Sequence, residues 1–152
     1  MKDEQPIWEF YGFESKQEGC PVQRWFNNLD TDAQLEVINC VSYLRTLPSG
    51  RWVRPDFDPL DGEGGISEVR PRDVRTNQGN TTYRIYGFRG HPARYAYTFL
   101  HGTDKDVKND VAGKGIAKGR LYQLFYQDGM VHKFDFEGEP VEETEREQGN
   151  QE

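Results

Sequence analysis

Gly65-Ile66-Ser67-Glu68-Val69-Arg70, Thr82-Tyr83-Arg84-Ile85-Tyr86-Gly87-Phe88 and Arg94-Tyr95-Ala96-Tyr97-Thr98-Phe99-Leu100-His101 are the stretches that decide the fold. β-branched and aromatic residues fill all three, so strands are expected at about 66–70, 82–88 and 94–101. Gly90-His91-Pro92 reads as a tight antiparallel turn between the last two. Pro71–Asn80 is a long polar connection between the first two.

Upstream, Ile7–Phe13 is aromatic-rich and suits a strand. Cys20-Pro21 opens a helical pattern, because proline fits a first turn, and Val22, Trp25, Phe26 and Leu29 follow at helical spacing. Asn27-Asn28-Leu29-Asp30 reads as a break. Thr31-x-x-Gln34 has capping-box form and starts a second helix, with Val37, Cys40, Val41, Leu44 and Leu47 on one face. Pro48-Ser49-Gly50 stops it, and Arg51–Gly65 is a loop rich in Pro, Asp and Gly.

Downstream, Ile116, Ala117, Leu121 and Leu124 suit a helix, although Gly113, Gly115 and Gly119 weaken it. A hairpin of 121–126 with 130–136 competes, because Asp128-Gly129 is a strong turn signal. Met130–Phe136 alternates like a final strand. The expected class is α+β: an antiparallel sheet with an N-terminal helical hairpin packed on one face, plus a C-terminal helix or hairpin. The other face is expected to be free for basic residues. Residues 1–136 are expected to form one domain and 137–152 a disordered acidic tail, which either aids solubility or shields the basic sheet.

The charge pattern sharpens this reading. The formal net charge is −7. Residues 65–120 nevertheless hold eleven Lys/Arg against five Asp/Glu, while residues 1–64 hold six against twelve. A basic, aromatic-bearing sheet inside an acidic chain suits an anion. No apolar run approaches the roughly 18 residues of a membrane span, and no basic-then-apolar leader opens the chain. Cys20 and Cys40 make no Cys-x-x-Cys, so a reducing, cytoplasmic setting is expected. The three histidines and two cysteines show no metal-ligand spacing, and neither a phosphate-cradling glycine motif nor Gly-x-Ser-x-Gly is present. No metal and no cofactor are expected.

Gly65–Arg70, Tyr83-Arg84-Ile85-Tyr86 and Phe99-Leu100-His101-Gly102 with Lys105 together resemble the RelE/ParE toxin superfamily, in particular its HigB-like, phage-derived branch. The resemblance covers about residues 5–127 and is strongest over 65–105. It implies a RelE-like fold and a toxin of a toxin–antitoxin system that cuts messenger RNA, usually on the ribosome. The implied partner is a helix-turn-helix antitoxin. The implied chemistry is metal-free: a ribose 2′-hydroxyl attacks the adjacent phosphate while basic side chains stabilise the growing negative charge. Here Asp104 and Asp106 flank Lys105 where the family carries a second lysine, and the connection 71–80 is longer than usual.

Such a reaction needs cations around the phosphate and groups that take and give protons. Arg70, Arg84, His101 and Lys105 are the candidate catalytic residues, with guanidinium forks matched to phosphate oxygens and His101 an acid or base near neutral pH. Arg72, Arg75, Tyr86 and Lys108 are the candidate substrate-binding residues. Tyr86 shares a strand side with Arg84 and can stack on a base. Duller readings stay open: Glu68 pairs with Arg70 or Arg84 as an ordinary ion pair, Tyr83, Tyr95, Tyr97 and Phe99 are packing residues, His101 is a structural histidine, Lys105, Lys108, Lys114 and Lys118 are solvated, and Arg72 and Arg75 lie in a flexible loop and contact nothing.

Overall fold

The computed structural model describes residues 7–77, 79–105 and 109–137. The acidic tail beyond residue 137 therefore lies outside the described residues, as do Asp106 and Lys108. The chain opens with strand β1 (Glu9–Glu14), followed by helices α1 (Pro21–Asn27) and α2 (Thr31–Arg45). Strands β2 (Phe57–Asp58), β3 (Ser67–Val69), β4 (Val74–Thr76), β5 (Gly79–Thr81), β6 (Tyr83–Arg89) and β7 (Ala96–Asp104) come next. Helix α3 (Val111–Tyr126) and strand β8 (Met130–Lys133) complete the order.

The main sheet has six strands in the order β2-β3-β6-β7-β1-β8. It is mixed, and this corrects the expected all-antiparallel sheet. β1 runs parallel to β7, with Glu9 opposite Ala96 and Gly12 opposite Phe99, while β3–β6, β6–β7 and β1–β8 are antiparallel. No helical hairpin heads the chain: β1 comes first, and α1 and α2 follow it. The class is therefore mixed α/β, with three α-helices among the described residues. The parallel pair joins residues more than 80 positions apart, so no turn signal announces it.

The helices form for local reasons. Pro21 sits in the first turn of α1. Asp30, not Thr31, caps α2: its side chain accepts from the Ala33 N–H at 3.0 Å. Gln34 donates instead to the Phe26 carbonyl, fastening α2 to α1. Ala33, Val37, Cys40, Val41 and Leu44 form the buried stripe of α2. With Val22 and Phe26 of α1 they join Trp8, Phe10, Trp52, Tyr97 and Phe99 in the larger core on one side of the sheet. Gly102 of β7 lets the Trp25 indole of α1 lie flush, since a Cβ there would meet the ring at 2.4 Å or a little more.

The opposite face is not free. α3 packs over β6 and β7, and Ala117, Leu121 and Leu124 cover Phe13, Ile66, Tyr86, Phe88 and Leu100. This burial offsets three glycines, each costing about 1 kcal/mol relative to alanine in a helix. The helix thus prevails over the competing hairpin, and β8 pairs with β1 rather than with 121–126. The 71–80 connection contains a small hairpin of its own, β4 with β5.

Candidate functional site

On the α3 side of the sheet the apolar cover gives way to charge. In the β3–β6 ladder Glu68 lies directly opposite Tyr86, so both face this side, with Arg84 two residues from Tyr86 on the same strand face. Glu68 is 1% exposed. Its Oε2 accepts from Arg70 Nη1 at 2.6 Å. Its Oε1 lies 3.8 Å from Lys105 Nζ and 4.0 Å from Arg84 Nε. Three cations from the ends or middle of three adjacent strands therefore share one carboxylate, a formal excess of two positive charges. Their side chains are 18%, 11% and 14% exposed for Arg70, Arg84 and Lys105.

The backbone fixes the cations in place. Arg70 Nε donates to the Pro55 carbonyl at 3.2 Å, and Arg84 Nη1 donates to the Tyr83 carbonyl at 2.7 Å. The Lys105 N–H donates to the Thr82 carbonyl. Arg84 Nε and Glu68 Oε1 are buried and have no hydrogen-bond partner. Burial, then the nearby Arg70 charge, lowers the Arg84 pKa, against the pull of Glu68. A crowded cationic cluster with unmet donors is suited to an oxyanion.

Tyr86 and His101 border this cluster. They are paired across β6 and β7 next to a bulge, where Gly87 then faces Phe99, and their rings lie nearly parallel with centroids 6.4 Å apart. The Tyr86 hydroxyl donates to Asp110 Oδ2 at 3.0 Å. Burial first, then this bond to an acidic acceptor, pushes the Tyr86 phenol up, so it stays protonated at neutral pH. Asp110 also caps α3, its Oδ1 accepting from the Gly113 N–H at 3.0 Å. His101 Nδ1 lies 3.4 Å from Arg120 Nη1. Arginine only donates, so Nδ1 is the acceptor and the neutral ring carries its proton on Nε2. Burial, then the Arg120 charge, lowers the His101 pKa.

The structure thus brings Arg70, Arg84, Lys105, Tyr86 and His101 to one side of the sheet. Arg72 and Arg75 sit elsewhere, both exposed. Arg72 lines a surface pocket with Glu36, Asn39, Cys40, Tyr43 and Asp56, and Arg75 lies among Asp30, Asp32, Thr76 and Asn77. Lys108 is outside the described residues. Of the duller readings, Glu68 does pair with Arg70, and it draws in Arg84 and Lys105 as well. Tyr97 and Phe99 are packing residues of the main core. Asp110 and Arg120 were missed by sequence reasoning. Asp110 carried a signal, a carboxylate three residues before Gly113 at a helix start; Arg120, inside a helical run, carried none. Cys40 is held inert: burial, then Asp56, pushes its thiol up to about 12.

No helix among the described residues is long and apolar enough to cross a membrane. No family model matches the chain, and neither a curated protein nor a solved structure matches it.

Proposed function

We propose that the charged side of the sheet binds an RNA phosphodiester and that the protein is a toxin-like messenger RNA endoribonuclease of the cytoplasm, related to the HigB-like toxins and held in check by a helix-turn-helix antitoxin. One observation carries the reading: Arg70, Arg84 and Lys105 converge within 4.0 Å of a single buried carboxylate and exceed its charge. Glu68 acts as a positioning residue beneath the cations, which present their outer edges to a phosphate. The 2′-hydroxyl gives its proton to solvent water as its oxygen bonds to phosphorus, and the 5′-oxygen takes a proton from water as its own bond to phosphorus breaks, leaving a cyclic phosphate and a 5′-hydroxyl. The cations stabilise the doubly charged phosphorane. His101, neutral with its proton on Nε2, is the hydrogen-bond donor beside them and serves the leaving oxygen, while Tyr86, fully buried and donating its hydroxyl proton to Asp110, is a positioning residue.

Arg84→Ala is the direct test. It should abolish RNA cleavage, and growth arrest on induction, while the circular dichroism stays unchanged; undiminished cleavage would remove Arg84 from the site. Binding of single-stranded RNA should weaken with salt with a log–log slope of about −2 for three phosphate contacts, and Arg84→Ala should cut that slope by about 0.7.

A second reading, a non-catalytic phage or host-regulatory protein that binds a protein partner, is favoured by the outer face of α3. Tyr122, Phe125 and Tyr126 are 55%, 52% and 74% exposed there, more aromatic surface than an ordinary helix leaves in water. Such a protein retains no RNA at any salt concentration.

A further inference from the structure

The described residues hold a second set of chemically active groups, at the far end of β1. Glu14, Cys20 and His132 place a carboxylate oxygen, a sulfur and an imidazole nitrogen within 4.8 Å of one another. We propose that these three side chains form a binding site for a divalent transition metal, Zn²⁺ by preference. The site does not depend on the anion-binding reading of the opposite charges.

The backbone brings the donors together. β1 ends at Glu14, and Ser15 and Gly19 then exchange two backbone hydrogen bonds of 2.9 and 2.8 Å in an antiparallel bridge. Glu14 directly precedes Ser15 and Cys20 directly follows Gly19, so the bridge sets the two residues close together. On the other side of β1, His132 of β8 is paired with Gly12. It is therefore the diagonal neighbour of Glu14 on the same side of the sheet, with its Nδ1 4.0 Å from Glu14 Oε1. The turn is anchored twice: Glu18 N–H donates to Ser15 Oγ at 3.0 Å, and Arg120 Nη2 donates to Glu18 Oε2 at 3.1 Å. Three separate segments thus hold the donor positions together.

The donor set selects the metal. Sulfur with imidazole nitrogen and one carboxylate is a borderline-soft combination that favours zinc over magnesium or calcium. Thiolate and carboxylate supply two negative charges for the dication, and the neutral imidazole supplies the third bond. With metal–sulfur bonds of about 2.3 Å and metal–nitrogen or metal–oxygen bonds of about 2.0–2.1 Å, tetrahedral ligands stand about 3.3–3.6 Å apart. From a present spacing of at most 4.8 Å the donors must close by up to about 1.5 Å, a movement on the scale of a side-chain rotamer change. A fourth position faces solvent, because His132 is exposed. Sequence spacing conceals the set, since its members stand at 14, 20 and 132.

The test uses the full chain, stripped with a chelator and titrated with Co²⁺ as a spectroscopic probe and then with Zn²⁺. One equivalent of Co²⁺ should bind with a thiolate-to-metal charge-transfer band, and Zn²⁺ should displace it. Losing an outer partner of a ligand already weakens metal affinity about 10–100-fold, so Cys20→Ser should weaken it at least about a hundredfold and abolish the band. His132→Ala, at an exposed edge where folding is not at stake, should weaken Zn²⁺ by at least about tenfold. Zn²⁺ should raise the melting temperature of the parent chain but not of either variant. Absence of the charge-transfer band, its persistence in Cys20→Ser, or equal Zn²⁺ affinity in His132→Ala would overturn the assignment.

Discussion

The two sides of the β3-β6-β7 core are built from alternate residues of the same strands and behave differently. On the α1/α2 side, Phe10, Trp52, Tyr97 and Phe99 pack with ring centroids 5.5–6.1 Å apart, and the indole and phenol donors there are paired, although Arg45 Nε of α2 is buried without a hydrogen bond. Trp8 and Trp52 both donate to the Leu47 carbonyl, and the Tyr97 hydroxyl meets Ser67 Oγ at 2.9 Å. On the α3 side, the apolar cover stops short of Glu68, where a carboxylate oxygen and a guanidinium nitrogen remain buried without hydrogen bonds. One side is chiefly apolar and stabilising, while the other gathers three cations around one carboxylate. Unbalanced charge lowers stability alone and gains it when a counter-ion binds, which is what the proposed site requires and an ordinary core does not.

The strongest way to break that contrast is to truncate one residue on each side. Phe99→Ala removes a fully buried ring and should cost about 3–5 kcal/mol. Glu68→Ala leaves three cations facing one another and should cost about 3–5 kcal/mol as well. Urea denaturation with and without inorganic phosphate separates the two. Phosphate should restore part of the stability of Glu68→Ala and none of Phe99→Ala. An equal response of both variants would mean that the cation cluster is ordinary structure.

A subtler comparison lies within α3, where the apolar cover and the charged cluster meet. A Cβ at Gly113 would collide with the Asp110 carboxylate and stand 3.0 Å from the Tyr86 ring, whereas at Gly119 it would meet nothing within 4 Å. Gly119→Ala should therefore stabilise by about 0.5–1 kcal/mol through helix propensity and reduced chain entropy. Gly113→Ala should destabilise by about 1–3 kcal/mol, because displacing Asp110 removes both the cap and the acceptor of Tyr86. Thermal unfolding of the pair reads the difference. Two stabilising substitutions would mean that Asp110 is not fixed against Tyr86.

What the sequence made legible follows the range of each interaction. The strands 67–69, 83–89 and 96–104 and the buried stripe of α2 were readable, because pattern and turn chemistry act over a few residues. The two-residue period also placed Arg84 and Tyr86 on one strand side. The parallel pairing of β1 with β7 was not readable, because Glu9 and Ala96 meet only through the tertiary fold. Nor was the covering of the second face, although β6 carries its own hint: it is buried along Tyr83–Phe88 and does not alternate. Pairing rules allowed Glu68 one basic partner at a time, and only the sheet order reveals that it has three.

The smallest expected effect separates the two histidines that flank the second face. His91 packs on Phe88 and Phe125, and burial alone lowers its pKa. His101 is lowered by burial and then by the Arg120 charge, against a smaller opposing pull from Asp110. Both folded-state values lie below the unfolded value of 6.5, so the unfolded chain binds more protons as pH falls. The stability they contribute is present above about pH 6.5 and is lost as pH drops below it, a positive slope of unfolding free energy with pH in that window. Arg120→Met deletes one cause and leaves the other. It should raise the His101 pKa and leave His91 unmoved, as followed by NMR titration of the imidazole protons. Added salt should act in the same direction on His101 by screening Arg120. If Arg120→Met leaves His101 where it was, burial alone sets that value and the charged half of this face ends at Lys105.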